Sequence, residues 1–152
     1  MKAITILQPW ASLIACGAKQ IETRSWKTSY RGPIAIHAGK RCQAYHMNIA
    51  FNEPFYSALK EQRGYMLDQG PEGSNKRISY PLPGSVIAIA DLVDCIEMTT
   101  DYIWAWRDIY GKNEIVFGDF KPGRYAWILA NISQIDPVPA KGKQRLWEWE
   151  AR

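Results

Sequence analysis

The sequence predicts an α+β fold, a small twisted β-barrel of about six strands with peripheral helices. Three observations lead there. The 152 residues suit one domain, 1–152, with a substantial core. About six segments read as strands, and helical segments fall between them without the βαβ alternation of a doubly wound sheet. There is no internal repeat and no low-complexity tract.

The elements follow in order. Ala3–Leu7 reads as a short strand. Pro9 suits a first helical turn, and Trp10, Leu13 and Ile14 have helical spacing. Gly17 is a natural stop, because glycine accepts the left-handed conformation there. Ile21–Trp26 alternates as a strand, with Glu22, Arg24 and Trp26 on one face. Lys19 has the wrong parity for that face and joins it only if the backbone turns or bulges near Gln20. Residues 29–32 form a turn, and Pro33–Ala38 is a strand that puts Ala35 and His37 on one face. Gln43–Phe51 and Pro54–Leu67 read as helices. Residues 69–84, rich in glycine and proline, read as a flexible loop or lid. Ser85–Met98 is a long apolar strand interrupted by Asp91 and Asp94. Thr99 or Thr100 caps a helix that runs through Tyr110 and stops at Gly111. Arg124–Ile135 and Leu146–Glu150 are the last strands, the second with Trp147 and Trp149 on one face.

Composition narrows the class. Seven tryptophans point to a packed core or to stacking platforms. Net charge is +4, unevenly spread. Residues 1–50 hold seven Lys/Arg against one acid, and residues 91–119 hold seven acids against two bases. The basic half favours a phosphate-bearing partner. Cys16, Cys42 and Cys95 are an odd set without a close pair, which argues for a reducing compartment. No signal-peptide pattern and no apolar run of about 18 residues is seen, so the expectation is a cytoplasmic protein outside the membrane. A monomer is the default expectation.

The most informative run is Gly17-Ala18-Lys19-Gln20-Ile21-Glu22-Thr23-Arg24. A cation, an anion and a guanidinium within six positions exceed what folding requires. Lys19, desolvated against a barrel wall, would have a lowered pKa and could act as base or nucleophile. Glu22 could take a proton or accept from the exocyclic amine of a base. Arg24 suits a phosphate or carbonyl. Each also has a structural reading, as members of an ion-pair network that orders the strand. Trp26 and Trp10 could stack a base or pack in the core. The helix start behind Gln8-Pro9 offers N–H groups to an anion. His37, followed by Gly39, Lys40 and Arg41, is a further candidate, with Lys40 as a phosphate contact. Cys42 and His46 stand at i, i+4 but are only two ligands, so no metal is predicted. No Walker loop, dinucleotide fingerprint or Gly-x-Ser-x-Gly elbow occurs, so no cofactor is expected.

The Gly17-x-Lys19-x-x-Glu22-x-Arg24 run resembles the signature of the ASCH family, a branch of the PUA-like β-barrels. Gln8-Pro9-Trp10-Ala11, Ile36-His37-Ala38 and Tyr125-Ala126-Trp127 are similar to it as well, so the resemblance spans Ala3 to about Val138. It implies a PUA-like barrel and a cleft for RNA or a modified nucleobase, nucleoside or nucleotide, with Lys19, Glu22, Arg24, Trp10, Trp26, His37 and Lys40 around it. Family members that hydrolyse N4-acetylcytidine match at Lys19 but carry threonine where this chain has Glu22. Their later catalytic glutamate has only Asp91 and Asp94 as candidates here. Three functions remain open at this point. One is an RNA- or nucleobase-binding module. The second is an enzyme with Lys19 and Glu22 as catalytic groups, either a hydrolase of N-acylated pyrimidine nucleosides or a metal-independent ribonuclease. The third is a protein-interaction domain using Trp104-Ala105-Trp106.

Overall fold

The computed structural model describes residues 1–41, 43–62, 66–68, 77–79 and 83–151. Its main element is a six-stranded sheet in the order β2-β7-β6-β3-β1-β8, curled into a half-barrel. In chain order these are β1 (Lys2–Ile6), β2 (Ile21–Arg24), β3 (Gly32–Ala38), β6 (Ser85–Glu97), β7 (Tyr125–Pro139) and β8 (Leu146–Glu148). β1 and β3 run parallel, and every other neighbouring pair is antiparallel. A separate hairpin joins β4 (Met66–Asp68) to β5 (Arg77–Ser79). The expected α+β barrel architecture is therefore present.

Helix α1 (Trp10–Ala15) plugs the concave side. At six residues it is too short to be helical alone, so packing holds it. Ala11, Leu13, Ile14 and Ala15 are all buried. Ala11 and Ile14 meet Ile4, Ile36, Ile87, Leu92 and Trp127 from the sheet. Leu13 turns instead toward Phe55, Leu59 and Phe117. That second cluster ties down α3 (Phe55–Leu59) and α5 (Lys112–Val116), while α2 (Ala44–Ile49) lies beside them. On the other sheet face Ala3, Ala35 and Val86 pack under Trp147 and Trp149, both buried as the strand parity predicts.

Several boundaries differ from the sequence reading, each for a physical reason. β2 stops at Arg24, because the chain bends at Ser25 and Trp26. The helix expected over Pro54–Leu67 ends at Leu59, and Met66 and Leu67 belong to the hairpin. Most of the expected 69–84 loop lies outside the described residues. Its described part includes β5, a strand made by pairing that local composition does not show. β7 runs on to Pro139 because the long β6 pairs with it over its whole length, with register shifts that absorb the curl. Thr99 does cap α4 (Thr100–Tyr110), its Oγ1 accepting from Tyr102 N at 3.2 Å. Gly111, at φ 93°, separates α4 from an unexpected α5. Among the described residues no helix is long and apolar enough to cross a membrane.

Trp127 joins the barrel core to the chain leaving β2. It is fully buried, stands edge-on to Trp26 at 4.7 Å, and donates Nε1–H to Trp26 O at 3.3 Å. Trp127→Ala is expected to lower stability by about 4 kcal/mol. A urea midpoint unchanged from wild type would show that this tryptophan is not the hinge of the core.

Candidate functional site

The site is assembled where α1 gives way to β2. Gly17, at φ 78°, reverses the chain, with its N–H on Ile14 O at 2.8 Å. A side chain there would be strained by the backbone angle alone. Lys19 N then reaches back to Leu13 O at 3.0 Å. The next two amides, Gln20 N and Ile21 N, both donate to the Glu114 carboxylate, at 2.8 and 2.9 Å. Lys19 thus precedes the strand and escapes its alternation. This is the backbone turn that the parity of Lys19, Glu22 and Arg24 demands.

Lys19 is only 1% exposed. Its ammonium donates to Ile21 O and lies 3.8 Å from Glu22 Oε2 and 4.0 Å from Glu114 Oε1. The ammonium also lies over the Phe120 ring, with the ring centre 6.0 Å from Nζ. Burial lowers the Lys19 pKa; the two carboxylates resist that shift and Arg24 reinforces it. Burial likewise raises the Glu114 pKa against the pull of Lys19 and of the two amides. Glu22 links this buried group to the surface. Its Oε1 lies 3.0 Å from Arg24 Nε, but that N–H does not point at the oxygen and is left without a hydrogen-bond partner. Arg24 Nη2 donates instead to Thr5 O at 3.1 Å.

These groups form one end of an open cleft of about 490 Å³. Lys19, Glu22, Arg24 and Arg124 supply the charge, with Asp119 beside Arg124. Trp10, Tyr45, Phe55 and Phe117 supply aromatic walls. Tyr45 is 66% exposed, and Trp10 meets His46 edge-on at 5.1 Å.

Of the seven residues singled out in the sequence, Lys19, Glu22, Arg24 and Trp10 line this cleft. The other three do not. Trp26 lies past the end of β2, between Trp127 and the Arg145 guanidinium, which is 5.6 Å from its ring centre. His37 and Lys40 line a second cavity. Asp91 and Asp94 are not the acids near Lys19. They stay on β6, where Asp91 accepts from Asn131 at 2.8 Å and Asp94 pairs with Arg31 at 2.9 Å. The later acid beside Lys19 is Glu114. Its signal in the sequence is a lone carboxylate leading into Ile115-Val116-Phe117. The N–H groups expected at the helix start are taken by the chain itself: Ala11 N by Leu7 O and Ser12 N by Gln8 Oε1, both at 3.1 Å. Cys42 lies outside the described residues. The Trp104-Ala105-Trp106 run is split, with Trp106 buried and Trp104 exposed beneath the Arg107 guanidinium.

A model of the ASCH domain matches residues 4–139. Activating signal cointegrator 1 of Mus musculus is 28% identical over 152 residues, and that of Homo sapiens 26% identical over 151. Each match covers 98% of this chain but 22% of the relative, so the chain spans about a fifth of the length of these proteins. Among solved structures, ASCH from Zymomonas mobilis superimposes with a TM-score of 0.54 at 14% identity, over 98% of this chain and 87% of that one. A mutant of the same protein gives 0.52 at 15% identity, over 98% and 87%. At such identity the likeness is one of fold.

The buried charges make a sharp prediction. Glu114→Gln leaves Lys19 underpaired and is expected to cost about 3 kcal/mol; Lys19→Met, which strands Glu114, is expected to cost a similar amount. The double variant should lose clearly less than the sum. A raised Glu114 pKa means that the folded chain keeps this proton to higher pH than the unfolded chain. Its contribution to stability therefore falls as pH climbs above the ordinary carboxylate range, and Glu114→Gln should remove that slope. Additive losses in urea titrations across pH would show that the two groups are not coupled.

Proposed function

The chain belongs to the ASCH family, and on that premise we propose that it binds RNA, taking a base or modified base into the cleft around Lys19, Glu22 and Arg24. The observation that carries this reading is the state of Lys19. Its ammonium donates to a peptide carbonyl and lies 3.8 and 4.0 Å from two carboxylates, so it organises the cleft from behind. A nucleophile or base must instead turn a lone pair toward substrate. Glu22 remains in front, where a carboxylate accepts from an exocyclic amine. Trp10 and Tyr45 offer faces for stacking, and Arg24 and Arg124 stand where a phosphate or carbonyl would lie. A single-stranded or looped segment fits best, because its bases can be splayed out and stacked.

One observation favours a second reading. Burial lowers the Lys19 pKa beside a carboxylate, as a deacylating hydrolase would require. In that case Lys19 activates water or attacks the acyl carbonyl, and Glu22 carries the proton to the leaving amine.

Fluorescence anisotropy with short single-stranded RNA tests the first reading. Affinity should fall linearly in log–log form with salt, by about 0.7 units per neutralised phosphate. Tyr45→Ala and Glu22→Gln should each weaken binding about tenfold. No binding at about 50 mM salt would overturn the proposal. Chromatography after incubation with N4-acetylcytidine tests the second reading. Under the binding reading neither wild type nor Lys19→Ala releases cytidine. Release by wild type alone would make the chain a hydrolase and Lys19 its catalytic group.

A further inference from the structure

A second cavity, of about 860 Å³, adjoins the first and shares Thr5 and Leu7 with it. Among the described residues its charged lining is Lys40, Arg41, Lys141 and Lys143, with no carboxylate. Among the described residues none of these four cations is ion-paired. Glu148 and Glu150 share a neighbouring groove with Lys141 and Lys143, and Glu148 is paired with Lys2.

The cluster is built by the fold. Lys40 and Arg41 follow β3, while Lys141 and Lys143 follow β7, about a hundred residues later. Both strands flank β6. At its start Gly84 joins them, donating to Ala38 O at 2.7 Å and accepting from Ala140 N at 2.9 Å. Two glycines leave room for the lining side chains. A Cβ on Gly84 would sit 2.4 Å from Lys40 Cε, and one on Gly142 would sit 2.4 Å from His37 Cε1. His37 adds no charge. Its Nε2–H donates to Ala140 O at 3.1 Å, and burial lowers its pKa. Four like charges around one opening repel one another, and an anion in the opening offsets that repulsion.

The wall between the two cavities carries Arg24, whose guanidinium is held on Thr5 O. Thr5, the residue that holds Arg24, lines both cavities, so the neutral first cleft opens beside the basic second one. We propose that the second cavity holds the phosphodiester backbone of the strand whose base enters the first, so that the ligand is a nucleic-acid strand rather than a free nucleoside. This rests on the base-binding reading of the first cleft.

Calorimetry with the four nucleosides, their 5′-monophosphates, inorganic phosphate and a single-stranded RNA pentamer tests it. The variants are Lys141→Ala/Lys143→Ala and Glu22→Gln, with melting curves to confirm folding. Affinity should rise from nucleoside to monophosphate to strand. The lysine variant should lose about tenfold on the strand and flatten its salt dependence by about one log unit per log unit of salt. The loss should scale with the number of phosphates in the ligand. Wild-type strand affinity and salt slope in the lysine variant, with loss in Glu22→Gln, would overturn the subsite and leave the base cleft standing. No binding of strand or nucleoside by wild type would remove both. Equal competition by polyglutamate of matched charge would overturn the subsite, since the cavity would then read charge alone.

Discussion

The arrangement around the motif depends on one buried cation. An ammonium with 1% exposure, placed with no partner, would lose several kcal/mol of hydration. The chain meets that loss with acceptors from three sources: the carbonyl of Ile21, the carboxylate of Glu22, and the carboxylate of Glu114 from a helix more than ninety residues away. Two of these acceptors belong to β2 and the third to α5, so the charge ties the strand to the helix. The α1–β2 turn, the start of β2 and helix α5 are positioned together or not at all.

Glu114 has a double task that follows from this. Its two oxygens take the amides of Gln20 and Ile21, donors that a turn would otherwise leave to water. The same carboxylate balances Lys19. Backbone satisfaction and charge pairing are thus solved by one side chain. The ends of Glu22 and Arg24 are left to line the cleft, on a support held by these contacts. The curl of the sheet sets the rest of the surface. Register shifts along the paired β6 and β7 bend the sheet around α1, and Thr5, near one end of β1, lines both cavities.

Charge is laid out to match. Inside, Lys19 and Arg24 stand against Glu22 and Glu114, so the first cleft is polar with little net charge. Outside, four cations without an ion pair among the described residues border the neighbouring cavity. A neutral, hydrogen-bonding pocket beside a basic surface suits a ligand whose base and backbone differ in the same way. The acidic stretch over residues 91–119 stands partly apart. Asp94 is tied to Arg31, and Glu114 is spent inside the core.

Much of this was legible in the residues. The strands of the six-stranded sheet are recognisable from alternation and β-branched content. The helix stop at Gly17, the Thr99 cap, and the burial of Trp147 and Trp149 followed from local rules that act over a few residues. The odd parity of Lys19 even required a turn before β2. What local rules could not supply was partnership across the sheet. Trp26 looks like a neighbour of Arg24 on a strand, but the strand ends because pairing with β7 ends at Tyr125. His37 and Lys40 look like neighbours of the motif, but parallel pairing of β3 with β1 sends them past Thr5 into the second cavity. Asp91 and Asp94 were nearer guesses than Glu114 for the acid beside Lys19, because sequence order carries no record of which helix packs under which turn. The sequence by itself determined the family, the sheet-forming segments and the chemical types at the cleft. Only tertiary structure decided which acid balances Lys19, which aromatics line the cleft, and that four scattered cations share one opening. Those outcomes depend on contacts between segments about a hundred residues apart, formed when the sheet closes around α1.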